Sequence, residues 1–507
     1  MKKTLTALLA FFTVCSAAYA TTEESNQTET KSETTKKTKK NVTYNENGEI
    51  IKTGINIGPL PVVAFDADRG FQFGALLNIY DFGDGSRYPN PDSQWYIEAS
   101  AYAKDSKIGS YKFVLNYDNK TLIPGVRMSI CSGYFKDAAL DFYGLNGFQS
   151  NYDMSLLEPT FQFDGSADKG SDDYNKIYDK YADKGKMPKG FYRHGRDVVR
   201  LRADFTGEIV KNFFWETGYN FSWTKTQSFT PKGYSALNQE SVEGMYVPGG
   251  TTLFDLYKDW GIISESEAGG GLTSGVRLGL MYDSRNVENN PTKGIWAEGH
   301  LMLNPWWLGT TRGHEHYKYS LTMRQYVPLV PEKLTFAYRL GYEGTIGDAP
   351  WYTAPYYTSM GVKQDYDGFG GYRTVRGLML NRVQGLDVGF YNIELRYKFV
   401  EFKLWKQNIA FALSAFTDGA HVFRGYDMTM TDDVKAALIA TDPTVGQTKI
   451  ELYDKFVKPG KDGFHGSAGL GLRFIMNQNF IVAFEGAQCF NKQDGGFAFY
   501  LNTGFLF

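Results

Sequence analysis

Downstream of Asp387 the chain alternates polar and apolar positions in two successive segments. In the first, Tyr391, Ile393, Leu395, Tyr397 and Phe399 alternate with Asn392, Glu394, Arg396 and Lys398. That two-residue period belongs to a strand with one apolar face and one wet face. In the second, Ile409, Phe411, Leu413 and Ala415 alternate with Ala410, Ala412, Ser414, Phe416 and Asp418. Two neighbouring strands thus carry carboxylates, Glu394 and Asp418, on their polar faces. Just before them runs Val375-Arg376-Gly377-Leu378, a loop motif that bears an arginine. Opposite charges gathered this way mark a candidate site.

The same alternation runs from Pro61 to Phe507 and predicts about sixteen strands: Pro61–Phe65, Gly70–Tyr80, Gln94–Ala103, Ile108–Tyr117, Gly125–Phe135, Asp197–Val210, Phe213–Phe229, Gly275–Ser284, Gly294–Asn304, His316–Val327, Leu334–Glu343, Asp387–Phe399, Ile409–Phe423, Ser467–Ile475, Phe480–Cys489 and Gly496–Phe507. The links between them alternate in length. Val210–Asn212, Val330–Lys333 and Met476–Asn479 are tight, whereas Lys136–Tyr192, Thr230–Leu272, Thr345–Gln384 and Arg424–His465 are long. Outer-membrane barrels distribute periplasmic turns and external loops in this way. The predicted fold class is therefore all-β, a transmembrane antiparallel barrel with long extracellular loops. Phe505 and Phe507 close the last strand, where an aromatic ring is expected at the membrane interface.

Composition narrows the picture. Hydrophobic residues make up 42% of the chain and aromatic residues 16%, with 55 glycines, yet no apolar run beyond the first residues is long enough for a transmembrane helix. The N-terminus reads as a signal peptide over residues 1–20: Met1-Lys2-Lys3, an apolar stretch from Leu5 to Val14, then Ala18-Tyr19-Ala20. Residues 21–54 are rich in Thr, Glu, Ser and Lys and are expected to be a disordered periplasmic segment, with the barrel domain spanning 55–507. Export places the protein in the Gram-negative outer membrane. A formal net charge of -2 leaves no footprint for nucleic acid. Cys131 and Cys489 lie in separate strands and are expected to be unpaired.

Several short motifs, in order along the chain, resemble the bacterial surface antigen family of outer-membrane assembly barrels (BamA/TamA type). They are Phe142-Tyr143-Gly144-Leu145; Tyr282-Asp283-Ser284-Arg285 leading to Pro291-Thr292-Lys293-Gly294; Val375-Arg376-Gly377-Leu378; Asn392-Ile393-Glu394-Leu395-Arg396; Phe416-Thr417-Asp418-Gly419; and Gly469-Leu470-Gly471-Leu472-Arg473. Each alone is weak, but together they span most of the chain. The resemblance implies that Val375, Arg376, Gly377 and Leu378 fold back into the lumen as a plug, with Glu394 and Asp418 accepting from Arg376. It also implies that Asp283, Arg285, Pro291 and Gly294 form a periplasmic turn. On the residues alone, Glu394 and Asp418 also fit the ordinary polar interior of a porin.

The family usually carries periplasmic POTRA domains, and nothing between Thr21 and Pro59 fits one. A weak seam between first and last strands is a further family trait. Here Pro59 and Pro61 are expected to flank the first strand and to thin its pairing. The leading functional expectation is outer-membrane protein insertion, folding or translocation, with outer-membrane lipids, unfolded outer-membrane proteins and periplasmic or lipoprotein partners. A gated or passive channel and a scaffold for envelope proteins are the alternatives. No cofactor, metal or catalytic set is implied: His314 and His316, with Glu315 between them, read as a solvated strand edge, and His421 falls on the opposite register from Asp418. The stretches Asp172–Asp183 and Thr431–Ile439 read as exposed cover.

Overall fold

In the computed structural model, residues 51–507 are described except for 67–69, 89, 105–106, 153–188, 230–251, 288–289, 348, 358–367, 405–406, 477–479 and 504–505. The readings of residues 1–50 and of Asp172–Asp183 lie outside the described residues, as does Phe505. Sixteen strands close into one antiparallel barrel, each bonded to its sequence neighbours, with β1 meeting β16. They are β1 Ile55–Asp66, β2 Gly70–Asp81, β3 Ser93–Lys104, β4 Lys107–Ile123, β5 Val126–Asp141, β6 Arg193–Val210, β7 Phe213–Ser228, β8 Gly270–Asp283, β9 Gly294–Asn304, β10 His316–Val330, β11 Leu334–Gly347, β12 Asp387–Leu404, β13 Gln407–Arg424, β14 His465–Met476, β15 Phe480–Cys489 and β16 Phe497–Thr503.

The pleat separates the two environments residue by residue. Leu201, Leu278, Leu301 and Leu321 are exposed on the outer face, while their neighbours Arg202, Arg277, His300 and Ser320 are buried in the lumen. A water-soluble protein hides the leucines and shows the arginines; this one does the reverse, as a barrel in lipid must. Among the described residues no helix is long and apolar enough to cross a membrane.

Most strands extend past their expected ends, β4, β10 and β12 toward the short turns and β5, β6, β8 and β11 toward the long connections. There Lys136, Asp137, Arg193 and Arg196 continue the ladders, but their polarity hides the outward apolar period. The first strand needs a correction: Pro59 and Pro61 sit inside β1, and its ladder with β2 runs unbroken from Ile55 to Asp66. A proline lacks only its own N–H, so one intact partner is enough to hold the strand extended. On the other side, among the described residues, β1 and β16 share a single register pair, Phe65 with Leu501.

The long connections form a compact roof. Helix α1 (Leu253–Asp259) begins on a Thr252–Asp255 capping box, α2 spans Glu265–Ala268, and α3 (Asp432–Thr441) and α4 (Pro443–Phe456) follow β13. Phe142, Phe254, Tyr257, Trp260, Trp351 and Phe456 pack beneath them into one aromatic core. As expected, α3 has no buried residue. If the roofed end faces outward, a cysteine at Thr444 will react with an impermeant thiol reagent in intact cells. One at Lys333, in the short β10–β11 turn, will react only after the outer membrane is opened. The opposite pattern would invert the barrel.

Candidate functional site

The connection from β11 to β12 turns back into the lumen. Glycines make the reversal possible: Gly370, Gly371 and Gly377 all have positive φ. At Gly377 a Cβ would also lie 3.0 Å from the Cβ of Ser467 and 3.1 Å from that of Ala487. Val375 and Leu378, fully buried, pack with Phe369, Val383, Phe390 and Val422. Arg339 of β11 donates to the carbonyls of Arg373 (3.1 Å) and Thr374, and the Asn392 amide donates to the Thr374 carbonyl at 2.7 Å. The loop is thus held from the barrel wall at its backbone as well as by its side chains.

At the tip, Arg376 is wholly buried. Its guanidinium grips Asp418 of β13 with a fork, Nε at 2.7 Å and Nη2 at 3.0 Å, and its backbone N–H donates to the same carboxylate at 3.0 Å. Nη1 reaches Glu394 of β12 at 2.6 Å and Glu485 of β15 at 2.7 Å. The Phe416 ring lies 3.5 Å from its Cζ. Arg473 of β14 binds Glu485 at 2.7 Å, and Arg396 binds Glu394 at 2.6 Å. Three guanidinium groups therefore meet three carboxylates, and the cluster is neutral. Burial opposes the charge on Arg376, but the Asp418, Glu485 and Glu394 carboxylates outweigh it and hold its pKa well above the ordinary arginine value.

Backbone contacts extend the anchor to the closing strands. Gly377 N–H donates to the Tyr500 hydroxyl of β16 at 3.0 Å, Ser467 of β14 donates to the Arg376 carbonyl, and Cys489 Sγ lies 2.8 Å from the Gly377 carbonyl. Further out, Arg382 donates to the carbonyls of Gly147, Ser150 and Gln493, which joins this loop to two others. His465 lies between Asp462 (2.9 Å) and Asp494 (2.7 Å). Burial alone would raise the Asp462 carboxyl, yet hydrogen bonds from His465 and the backbone keep its pKa below the usual range.

The structure thus brings Arg376, Glu394 and Asp418 together. Sequence reasoning missed Glu485, although it is the lone charge in the otherwise apolar or neutral β15 and that isolation was a usable signal. It quoted Arg396 and Arg473 within motifs but gave them no role.

At the β8–β9 turn, Arg285 pairs with Asp283 at 2.5 Å and lies 3.8 Å from the Trp296 ring centre. Gly294 has positive φ, with no room for a Cβ beside the Ser284 carbonyl, and Pro291 is buried.

Two expectations are corrected. Phe507 is not at the membrane interface: it turns inward against Tyr326 and Ala337. Its carbonyl accepts from Arg396 at 3.0 Å, and its ring lies 4.9 Å from Arg396 and 5.3 Å from Arg339. The small Ala337 leaves the space, and two guanidinium groups attract the ring. His314 and His316 are not a solvated edge either, since both are buried under the roof. His316 meets the Asn304 amide at 3.1 Å and the His314 carbonyl at 2.8 Å. A closer group of ligand types, Glu216, Glu298 and His300, is internally satisfied: His300 meets Glu216 at 2.9 Å and Arg324 holds Glu298 at 2.6 Å.

A closed sixteen-strand barrel with an apolar outer wall and an arginine-anchored loop in its lumen defines an outer-membrane barrel. The Omp85 superfamily domain matches residues 140–507, and the chain belongs to that superfamily. Among solved structures it is similar to BamA from Haemophilus ducreyi lacking POTRA domains 1-3, at 16% identity and a TM-score of 0.47, covering 90% of this chain and 71% of that one. It is also similar to CdiB from Escherichia coli, at 9% identity and a TM-score of 0.48, covering 90% of this chain and 63% of that one. No curated protein matches the sequence.

Proposed function

We propose that this outer-membrane barrel helps to insert, fold or translocate other outer-membrane proteins, working through the seam between β1 and β16. The supporting observation is the contrast at that seam. Among the described residues Phe65 and Leu501 form its one register pair, whereas β1 pairs with β2 along its whole length. A strand edge left this free offers backbone donors and acceptors to an incoming strand. The Arg376 cluster draws on β12 to β15 and Tyr500 on β16, so it stiffens the wall on one side of the seam and leaves β1 to move. The surrounding lipid, unfolded outer-membrane proteins and periplasmic or lipoprotein partners are the expected associates.

A gated channel is the second reading. It is favoured by the charged lumen, in which Arg277, Arg324 and Arg339 are buried, and in that case the loop would set permeability. Depletion followed by quantitative proteomics of the outer membrane separates the two. Broad loss of barrel proteins is expected. An unchanged barrel inventory with altered solute uptake would replace the assembly reading with the channel.

A further inference from the structure

Glu216 of β7 and His300 of β9 stand on strands that are not neighbours in the barrel, yet His300 Nε2 and Glu216 Oε2 are 2.9 Å apart. Between them runs β8, and the residue paired with both is Gly279. A Cβ at Gly279 would lie 2.5 Å from His300 Cδ2. The missing side chain is therefore what lets the two groups meet across the intervening strand. Glu298, two residues before His300 and on the same lumen face, completes the group: the ligand atoms of Glu216, Glu298 and His300 all lie within 4.8 Å of one another. All three residues are buried.

One imidazole and two carboxylates are a donor set for zinc and the neighbouring first-row dications. Zinc takes such nitrogen and oxygen donors at about 2.0–2.2 Å, which sets tetrahedral donors roughly 3.4 Å apart. The Glu216–His300 pair, at 2.9 Å, is already near that separation, and a turn about the Glu298 side chain brings in the third donor. Each carboxylate uses one oxygen in its present contact, Glu216 Oε2 with His300 and Glu298 Oε2 with Arg324 at 2.6 Å. That leaves Oε1 of each for an ion. Arg324 is held in turn, with its Cζ 3.8 Å from the Trp296 ring centre, so it stays on Oε2 and orients Glu298 as an outer partner orients a metal-bound carboxylate. The proton between His300 and Glu216 has to leave Nε2 before that atom binds an ion. A neutral imidazole passes it to Nδ1, and an imidazolium releases it to water.

We propose that Glu216, Glu298 and His300 form a site for one divalent transition-metal ion, zinc foremost, that ties β7 to β9 across Gly279. The test uses the full chain without a histidine tag, stripped with a chelator in a maltoside detergent and titrated with cobalt(II) as a visible stand-in for zinc. Saturable absorption at one equivalent is expected, and zinc, the tighter binder of the two, should displace it. Heat-modifiable gel mobility shows whether each variant is folded, and zinc should raise the unfolding temperature of the wild type by this readout. His300→Ala and Glu298→Gln should each weaken cobalt binding roughly tenfold or more and abolish the zinc-dependent rise. Gly279→Ala removes no ligand but pushes the imidazole aside, and it should weaken binding as well. No saturable absorption in the wild type, or folded His300→Ala binding cobalt as tightly as wild type, overturns the proposal. So does a sulfur-to-cobalt charge-transfer band, which would put the ion on a cysteine instead.

Discussion

Arg376→Ala is expected to release the lumen loop while leaving the barrel closed. The substitution removes one of three guanidinium groups and leaves Asp418, Glu394 and Glu485 facing only Arg396 and Arg473, a net negative charge in a space that water barely reaches. Breaking a buried ion pair from one side typically costs about 3–5 kcal/mol. The sixteen ladders do not depend on this loop, so the loss should fall on the connection between β11 and β12. Proteolysis within residues 348–386 should rise, and conductance in planar bilayers should increase. Arg376→Lys should lie nearer to alanine than to wild type, because one ammonium cannot reproduce the fork on Asp418 together with the reach of Nη1 to Glu394 and Glu485. Wild-type proteolysis and conductance in Arg376→Ala would show that the loop is held by its apolar contacts, Val375 and Leu378 foremost, and that the charges are incidental.

The strand period revealed the faces of this barrel but not its cross-lumen partners. Alternation in β12 and β13 places Glu394 and Asp418 inside, and the preceding arginine suggests a counter-charge. Glu485 joins the same guanidinium from 109 residues further along the chain. The return of the loop into the lumen and the successive pairing of β13, β14 and β15 make them neighbours, and no local pattern encodes that distance. Phe507 shows the opposite failure. Its spacing from Phe497 and Phe499 reads as a continued strand, but Phe507 itself lies outside the ladder and its ring packs beside Ala337. The roof was hardest to read. Phe142, the pair Tyr257 and Trp260, and Trp351 come from three separate connections, and their packing is a tertiary matter. Local propensity placed Pro59 and Pro61 at the border of β1, while the intact ladder to β2 draws them inside.

Locking the seam should abolish function if the barrel works by lateral opening. The register fixes where the lock belongs: Phe65 and Leu501 are Cα partners, so cysteines at these two positions face each other across β1 and β16. Cross-strand partners in an antiparallel ladder lie within the Cα separation that a disulfide spans. Cys131 and Cys489 are buried, and replacing both by serine or alanine removes the competing thiols of the barrel domain; Cys489 contacts the plug loop, so that background needs its own activity control. In the oxidised double variant, cells dependent on this protein should lose outer-membrane barrel proteins as they do on depletion, and a reductant should restore them. Phe65→Cys alone and Leu501→Cys alone should behave as the background does. A channel conducts through its lumen and is indifferent to the lock. Full activity in a barrel shown to be oxidised at the seam would exclude lateral opening and leave the Arg376 loop, rather than the β1 edge, as the moving part.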